Sequence, residues 1–277
     1  MNRNKIESVL LKTITYVAMG ITISSLVAVI GYILYKGLPH INLNLFAFEY
    51  TTQNLSLFPA IINTIIMVVL TLVIAVPFGV ISAIYLVEYA KKGSMFVKIV
   101  QLTTETLQGI PSIVYGLFGS LFFVTVVFKR LSIISGALTL AIMILPLIMR
   151  SSEEALKSVP NSFREGSYGL GAGKLRTIIK IVLPYATNGI LAGIILAIGR
   201  IVGETASLIY TAGAVAKVPN SIFDSGETLA IHMYKLWNEG LNTEASYATA
   251  VVLLIVVLII NVSSEKLAFK IVKNRRK

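Results

Sequence analysis

The chain has 277 residues, of which 56% are hydrophobic and 13% charged, with a net charge of +11 and a mean hydropathy of +0.82. A water-soluble domain of this length cannot hide that much apolar surface in one core, so the composition excludes one and points to a membrane protein. With no cysteine, disulfides and thiol chemistry are excluded too.

Six apolar blocks of helical length run along the chain, at about 13–35, 60–87, 110–128, 133–149, 185–210 and 245–262. At about 1.5 Å per residue each crosses, or nearly crosses, a hydrocarbon core of about 30 Å. Strands of a membrane barrel would show about ten alternating residues instead, so the expected class is all-α integral membrane with six transmembrane helices. The first block is too long for a signal-peptide core and lacks a small-residue cleavage site after it, which predicts a retained anchor. Pro77 and Pro146 lie inside the second and fourth blocks and are expected to kink them.

The basic residues cluster in alternate connections. Arg3, Lys5 and Lys12 precede the first block, Lys91, Lys92 and Lys98 follow the second, and further clusters run from Arg150 to Lys180 and from Lys266 through Arg276 to Lys277. The opposite loops hold only Lys36, Lys129, Arg130, Lys217 and Lys235. This positive-inside bias places both termini in the cytoplasm. The basic excess is therefore topological and calls for no nucleic-acid partner. The chain reads as one membrane domain over 1–277, with a core of about 60–265 and a cytoplasmic loop of about 150–184.

The external connection 212–244 sets Asp224, Glu227, Glu239 and Glu244 against Lys217 and Lys235. Its segment GETLAIHMYKLW, Gly226 to Trp237, predicts a short helix at the membrane surface with Trp237 as an interfacial anchor. No enzyme site is visible. His40 and His232 are far apart and form no HExxH-like pair, so no catalytic metal is expected. GLGAGKL is not a phosphate-cradling loop, since Tyr168 and Leu175 stand where that motif needs glycine and Ser or Thr.

The stretch SFREGSYGLGAGKLRTIIKIVLP, from Ser162 to Pro184, is the most specific signal. Ser162 and Glu165 fit a capping box at a helix start, and Pro160 discourages helix just before it. Gly169, Gly171 and Gly173 then allow a sharp reversal into a second, basic helix. Such a helix–turn–helix has little core of its own and is shaped to sit in another protein's groove.

Arg200 falls inside the fifth block, fifteen residues after Tyr185 and so about 22 Å into the span. An arginine at the bilayer centre costs at least ~2.5–3.5 kcal/mol, so it should face protein or a wet path. Glu204, one turn on, is expected on the same helix face. The two either form an ion pair that fixes packing, or Arg200 meets an oxyanion while Glu204 tempers its field. Gly189/Gly193 and Gly199/Gly203 form small-xxx-small pairs that predict close helix packing.

The loop resembles the EAA motif of ABC-importer permeases: Glu165-Gly166-Ser167, then Gly171, then Ile181-Val182-Leu183-Pro184, with both spacings kept. It departs from the motif in glycine and serine where two alanines are usual. QGIPSIVYGLF (Gln108 to Phe118), PLIMRSSEEALKSVP (Pro146 to Pro160) and GRIVGETASLIYTAG (Gly199 to Gly213) are similar to the PstA family of phosphate-importer permeases, and the similarity runs from about Thr64 to the C-terminus. The resemblance implies a type I ABC-importer permease fold in a bacterial or archaeal plasma membrane. It implies a PstC-like permease partner, two PstB-like ATPase subunits that use ATP and Mg, and a PstS-like phosphate-binding protein. Glu165, Ser167, Leu170 and Gly171 would then contact the ATPase, and no cofactor would bind this chain. Arg150 aligns with a second arginine of the PstA pattern and either receives the anion at the inner mouth or snorkels to the interface. Phosphonate, sulfate or molybdate as cargo, a sister PstC-type role, and a stand-alone carrier or channel are the alternatives.

Overall fold

The computed structural model describes residues 3–91, 93–240 and 242–275; Lys92, Arg276 and Lys277, counted above among the cytoplasmic charges, lie outside the described residues. Helix α1 (Arg3–Gly37) leads through two 3₁₀ turns, Leu38–His40 and Leu43–Phe46, to α2 (Phe58–Ile84), which ends in a π-helical turn, Tyr85–Tyr89. Next come α3 (Met95–Gln108), α4 (Ser112–Gly119) with its π-helical continuation Ser120–Val127, and α5 (Ile133–Lys157). The loop after α5 holds α6 (Asn161–Gly169) and α7 (Lys174–Thr177), and a third π-helical turn, Ile178–Val182, joins it to α8 (Leu183–Val202). Helices α9 (Ala206–Ile209), α10 (Leu229–Asn238) and α11 (Thr243–Arg275) follow, and no strand occurs among the described residues.

Five stretches are long and apolar enough to cross a membrane: Ser8–His40, Phe58–Tyr89, Ile133–Lys157, Lys174–Val202 and Thr243–Leu267. The third expected span departs from a simple rod. Its block at 110–128 is α4 with the π continuation, and it meets α3 at an angle of 99°. Gly109 and Pro111 make the bend: proline lacks the N–H that would continue the ladder and disfavours helical backbone at Ile110. Helix α3 itself lies outside the six apolar blocks. Its residues Met95, Ile99 and Leu102 form an exposed apolar stripe, while Val97 and Val100 pack inward.

Helix α5 is the hub. Leu140, Ile144 and Ile148 recur every four residues and are buried in one cluster with Met67 and Ala75 of α2 and Ala197, Ile198 and Ile201 of α8. Lipid tails are as apolar as these side chains, so close packing rather than the hydrophobic effect must hold the spans together. Small residues allow it. A Cβ on Gly189 would stand 2.6 Å from the Ala155 Cβ, and one on Gly193 would stand 2.5 Å from the Ser151 Cβ. The second small-residue pair behaves differently: a Cβ on Gly199 would meet nothing within 4 Å. Helix α1 is the opposite of α5, with 0% of its most apolar stretch buried against 67%. Its C-terminal end packs on α11, where Tyr32 meets Tyr247 edge-on at 5.9 Å.

The fifth expected block, 185–210, is broken. Gly203 caps α8, and only the single turn of α9 lies beyond it before the chain folds back over the ends of α5 and α2. The returning segment satisfies the first amides of α5: Ser132 donates to the Thr211 carbonyl at 3.0 Å, and Ile133 and Ile134 donate to Asp224 and Ile222, each at 2.9 Å. Leu229, opening α10, donates to the Thr64 hydroxyl at 3.0 Å. Helix α10 forms as expected, but it buries Leu229, Ile231, His232 and Leu236 instead of lying free on a surface. Trp237 remains exposed.

Gly193→Val should force α5 and α8 apart and lower the unfolding temperature of the detergent-solubilised protein, because overpacking typically costs about 1–3 kcal/mol. Gly199→Ala, with open space around it, should not lower that temperature and should raise it slightly, since alanine is the better helix former.

Candidate functional site

Arg200 occupies the last turn of α8. Because α8 ends at Val202, the four-residue register that would put Glu204 on the same face is lost, and the expected shared face is corrected here. Glu204 turns instead to the next helix: its Oε1 accepts the Ser207 N–H at 3.0 Å, capping α9. Each charge sits at the helix end whose dipole favours it, Arg200 at the carbonyl end of α8 and Glu204 at the amide end of α9. Among the described residues no ion pair joins them.

Arg200 is half-buried and makes no hydrogen bond or salt bridge with another described residue. On α4 the buried Tyr115 donates its hydroxyl to the Leu107 carbonyl at 2.7 Å. Beside Tyr115, Gly116 lets α4 approach α9 closely, since a Cβ there would stand 2.7 Å from the Ser207 Cα. The Ser207 hydroxyl is buried without a partner. Arg150 is placed quite differently. Its side chain is 42% exposed, and it pairs with Glu105 of α3 and with Glu154, the latter at 2.9 Å. The structure therefore does not bring Arg150 and Arg200 together, and it gives only Arg150 carboxylate partners.

The loop between α5 and α8 is the helix–turn–helix expected from its glycines. The capping box is not formed, however. Pro160, with its fixed φ of −58°, starts α6 two residues early, so Ser162 lies inside the first turn and no side chain caps the helix. At the other end Gly171 adopts a φ of +81°, a left-handed conformation that glycine reaches without penalty. Gly171 N–H then reaches the Tyr168 carbonyl at 2.9 Å and Ala172 N–H reaches Ser167 at 3.1 Å, the paired bonds of a Schellman stop. The Ser167 hydroxyl lies 2.8 Å from that of Thr177 and ties α6 to α7. Glu165 is exposed, and Leu170 is 90% exposed at the tip. Phe163, Ser167, Leu170, Gly171 and Arg176 line a groove of about 470 Å³ there.

Two polar clusters escaped sequence reasoning. Glu88, at the end of α2, pairs with Arg164 of α6 at 2.7 Å. In the second, a fully buried Glu227 holds His232 Nδ1 at 2.6 Å and Lys235 Nζ at 3.0 Å, while its carbonyl accepts Asn63 Nδ2 at 3.0 Å. A carboxylate this deep has to be paired, and here the pairing pins α10 to α2. The only signal available was an acidic residue preceding an amphipathic helix, which does not distinguish surface from interior. No group of three or more metal-ligating side chains occurs among the described residues.

Residues 75–273 match the model of a family described as binding-protein-dependent transport system inner membrane component. The chain belongs to this family. Within it, the probable ABC transporter permease protein YqgI of Bacillus subtilis is 31% identical, over 90% of this chain and 90% of its own length. Phosphate transport system permease protein PstA 1 of Mycobacterium tuberculosis is 36% identical, over 78% of this chain and 71% of its own. A chain of a bacterial alginate ABC transporter, crystallised with a pentasaccharide-bound periplasmic protein, is only 16% identical. It nevertheless superposes with a TM-score of 0.67 over 97% of this chain and 95% of that one. The fold is thus that of a type I ABC-importer permease, and the chain is a multi-pass membrane permease subunit related to several bacterial PstA permeases.

If Glu204 acts as the cap of α9, Glu204→Ala should destabilise the protein by about 1 kcal/mol while Glu204→Gln, which keeps an acceptor, loses much less. Thermal unfolding of both variants beside the wild type checks this.

Proposed function

We propose that this chain is a permease subunit of an ATP-driven importer of inorganic phosphate. The observation that carries the reading is Arg200, a half-buried guanidinium at a helix break with no carboxylate partner among the described residues. Its planar fork matches phosphate oxygens and stays charged at any physiological pH. A contact with a monoanion at ~4 Å is worth about 4 kcal/mol at an effective dielectric near 20. Phosphate, rather than phosphonate, sulfate or molybdate, is supported by the kinship with PstA permeases. In this reading Glu204 shapes the break instead of holding the fork. Arg150 stands further along the path, where an anion would exchange with Glu105 and Glu154.

The α6–α7 loop is the other working part. Glu165, Leu170 and Gly171 are exposed at the tip, and Ser167, Leu170 and Gly171 line the groove beside it, a surface suited to an ATPase cleft. The assembly would comprise this single permease domain, a PstC-like permease, two PstB-like ATPase subunits carrying ATP and Mg, and a PstS-like binding protein outside. The basic connections support a plasma-membrane topology with both termini cytoplasmic.

Labelled-phosphate uptake by cells lacking their own importer and supplied with the whole complex tests the path. Arg200→Ala should cut uptake roughly tenfold or more at matched membrane levels, the scale of one lost charge-assisted hydrogen bond. Normal uptake by the variant would move the anion path elsewhere, and wild-type uptake of sulfate, molybdate or phosphonate alone would change the cargo. Gly171→Val, which puts a branched side chain at a left-handed φ costing roughly 1–2 kcal/mol, should reduce co-purification of the ATPase while the spans stay folded.

A further inference from the structure

Helix α6 buries no residue of its own. Something other than packing must attach it to the spans. Along the chain it reaches α8 through α7 and the π turn Ile178–Val182, and Phe163 lies against Tyr185 at 5.3 Å between ring centres. Helix α6 follows α5 after only three residues, and the side chain that hydrogen-bonds it to the ends of α2 and α5 is Arg164. Arg164 directs Nη2 and Nε at Glu88 Oε1, at 2.7 and 3.1 Å. The same guanidinium donates from Nη1 to the Val159 carbonyl at 2.7 Å and from Nη2 to the Leu156 carbonyl at 3.0 Å.

Leu156 lies in the last turn of α5 and Val159 just past its end, where carbonyls lack the regular helical partner four residues on. Glu88 lies in the π turn that ends α2. One guanidinium therefore bolts α6 to two spans at once, and the two side chains are only 13% and 5% exposed. Beside the bolt is open space: a cavity of about 580 Å³ bordered by Glu88, Lys98, Glu153, Lys157, Arg164 and Lys174. A displacement of α6 can pass to α5 along the three-residue link 158–160, and the fork is the hydrogen-bonded contact through which α6 itself also engages the end of α2. A multiply bonded guanidinium suits that task, because it resists both sliding and twisting better than a point charge does.

Resting on the reading of this loop as the ATPase-docking element, we infer that the Glu88–Arg164 pair is the strut that carries movement of α6 into α2 and α5. It is a positioning device, and it sets how much cargo moves for each ATP consumed.

The test uses the complete complex in proteoliposomes, with uptake and ATP hydrolysis measured on the same preparation. Glu88→Gln preserves shape and one acceptor. It should leave the complex assembled and hydrolysing ATP, with uptake per ATP reduced about fivefold or more, the lower range of typical coupling strengths. Unchanged uptake per ATP, or uptake and hydrolysis falling in parallel, would overturn the strut. The absence of native cysteine allows a second arm: Glu88→Cys with Arg164→Cys, bridged by a short dithiol cross-linker. Uptake per ATP should be low in the uncross-linked protein and recover on cross-linking of the same molecules; no recovery would count against the strut. The cargo is whichever anion the wild type takes up, so an error in the phosphate reading shows in the wild type, and an error in this inference only in the variants.

Discussion

Inside a bilayer a backbone that leaves the helix must find every hydrogen-bond partner within the protein. The same demand falls on backbone buried against other helices, as parts of the segment from Gly203 to Thr228 are. It is satisfied by exchange: the carbonyls of Thr211, Ile222 and Asp224 serve the first amides of α5, and the Thr64 hydroxyl serves the first amide of α10. Within the segment, Gly226 N–H returns to the Ala212 carbonyl and Glu227 N–H to Val215. The broken helix is stable because α5 and α2 complete it. The same break supplies a helix end at which an arginine sits half-buried, with no carboxylate paired to it among the described residues.

That arrangement changes how the two charges relate. An arginine and a glutamate four residues apart on an unbroken helix would neutralise each other and leave little field for a visiting anion. Separated by Gly203, they serve different helices. Glu204 is occupied with the Ser207 amide, and Arg200 keeps its donors. The loop at the other end of α8 follows a parallel logic. It is ordered by local devices, the Schellman stop at Gly171 and the Ser167–Thr177 contact, while its outer surface stays unpacked.

What was legible in the sequence is what local geometry determines. Span-length apolar runs and the glycine reversal at 169–173 depend on neighbours a few residues apart. The misses have physical reasons of two kinds. Some are competitions between local signals: Pro160 overrode the Ser162 capping box, and Gly203 ended a helix that hydropathy alone would have continued. Helix α3 was hidden because Lys98, Gln101, Glu105, Gln108 and three threonines interrupt its apolar residues, so no unbroken apolar run announces it. The rest are long-range. Glu88 and Arg164 stand 76 residues apart, and Asn63 meets the Glu227 carbonyl across 164. No periodicity announces such pairs, because the fold and not the chain makes them neighbours.

The π turn at Ile178–Val182 adds a geometric consequence. It lies in one continuous helical run, Lys174–Val202, with the loop at one end and Arg200 near the other. A π turn holds a residue more than an α turn would. One residue taken up or released there turns everything beyond it by about 100° and advances it by about 1.5 Å. The run is thus threaded like a screw: a register step beside the loop would reorient the distant guanidinium by more than a quarter of the helix circumference, with hardly any change in length.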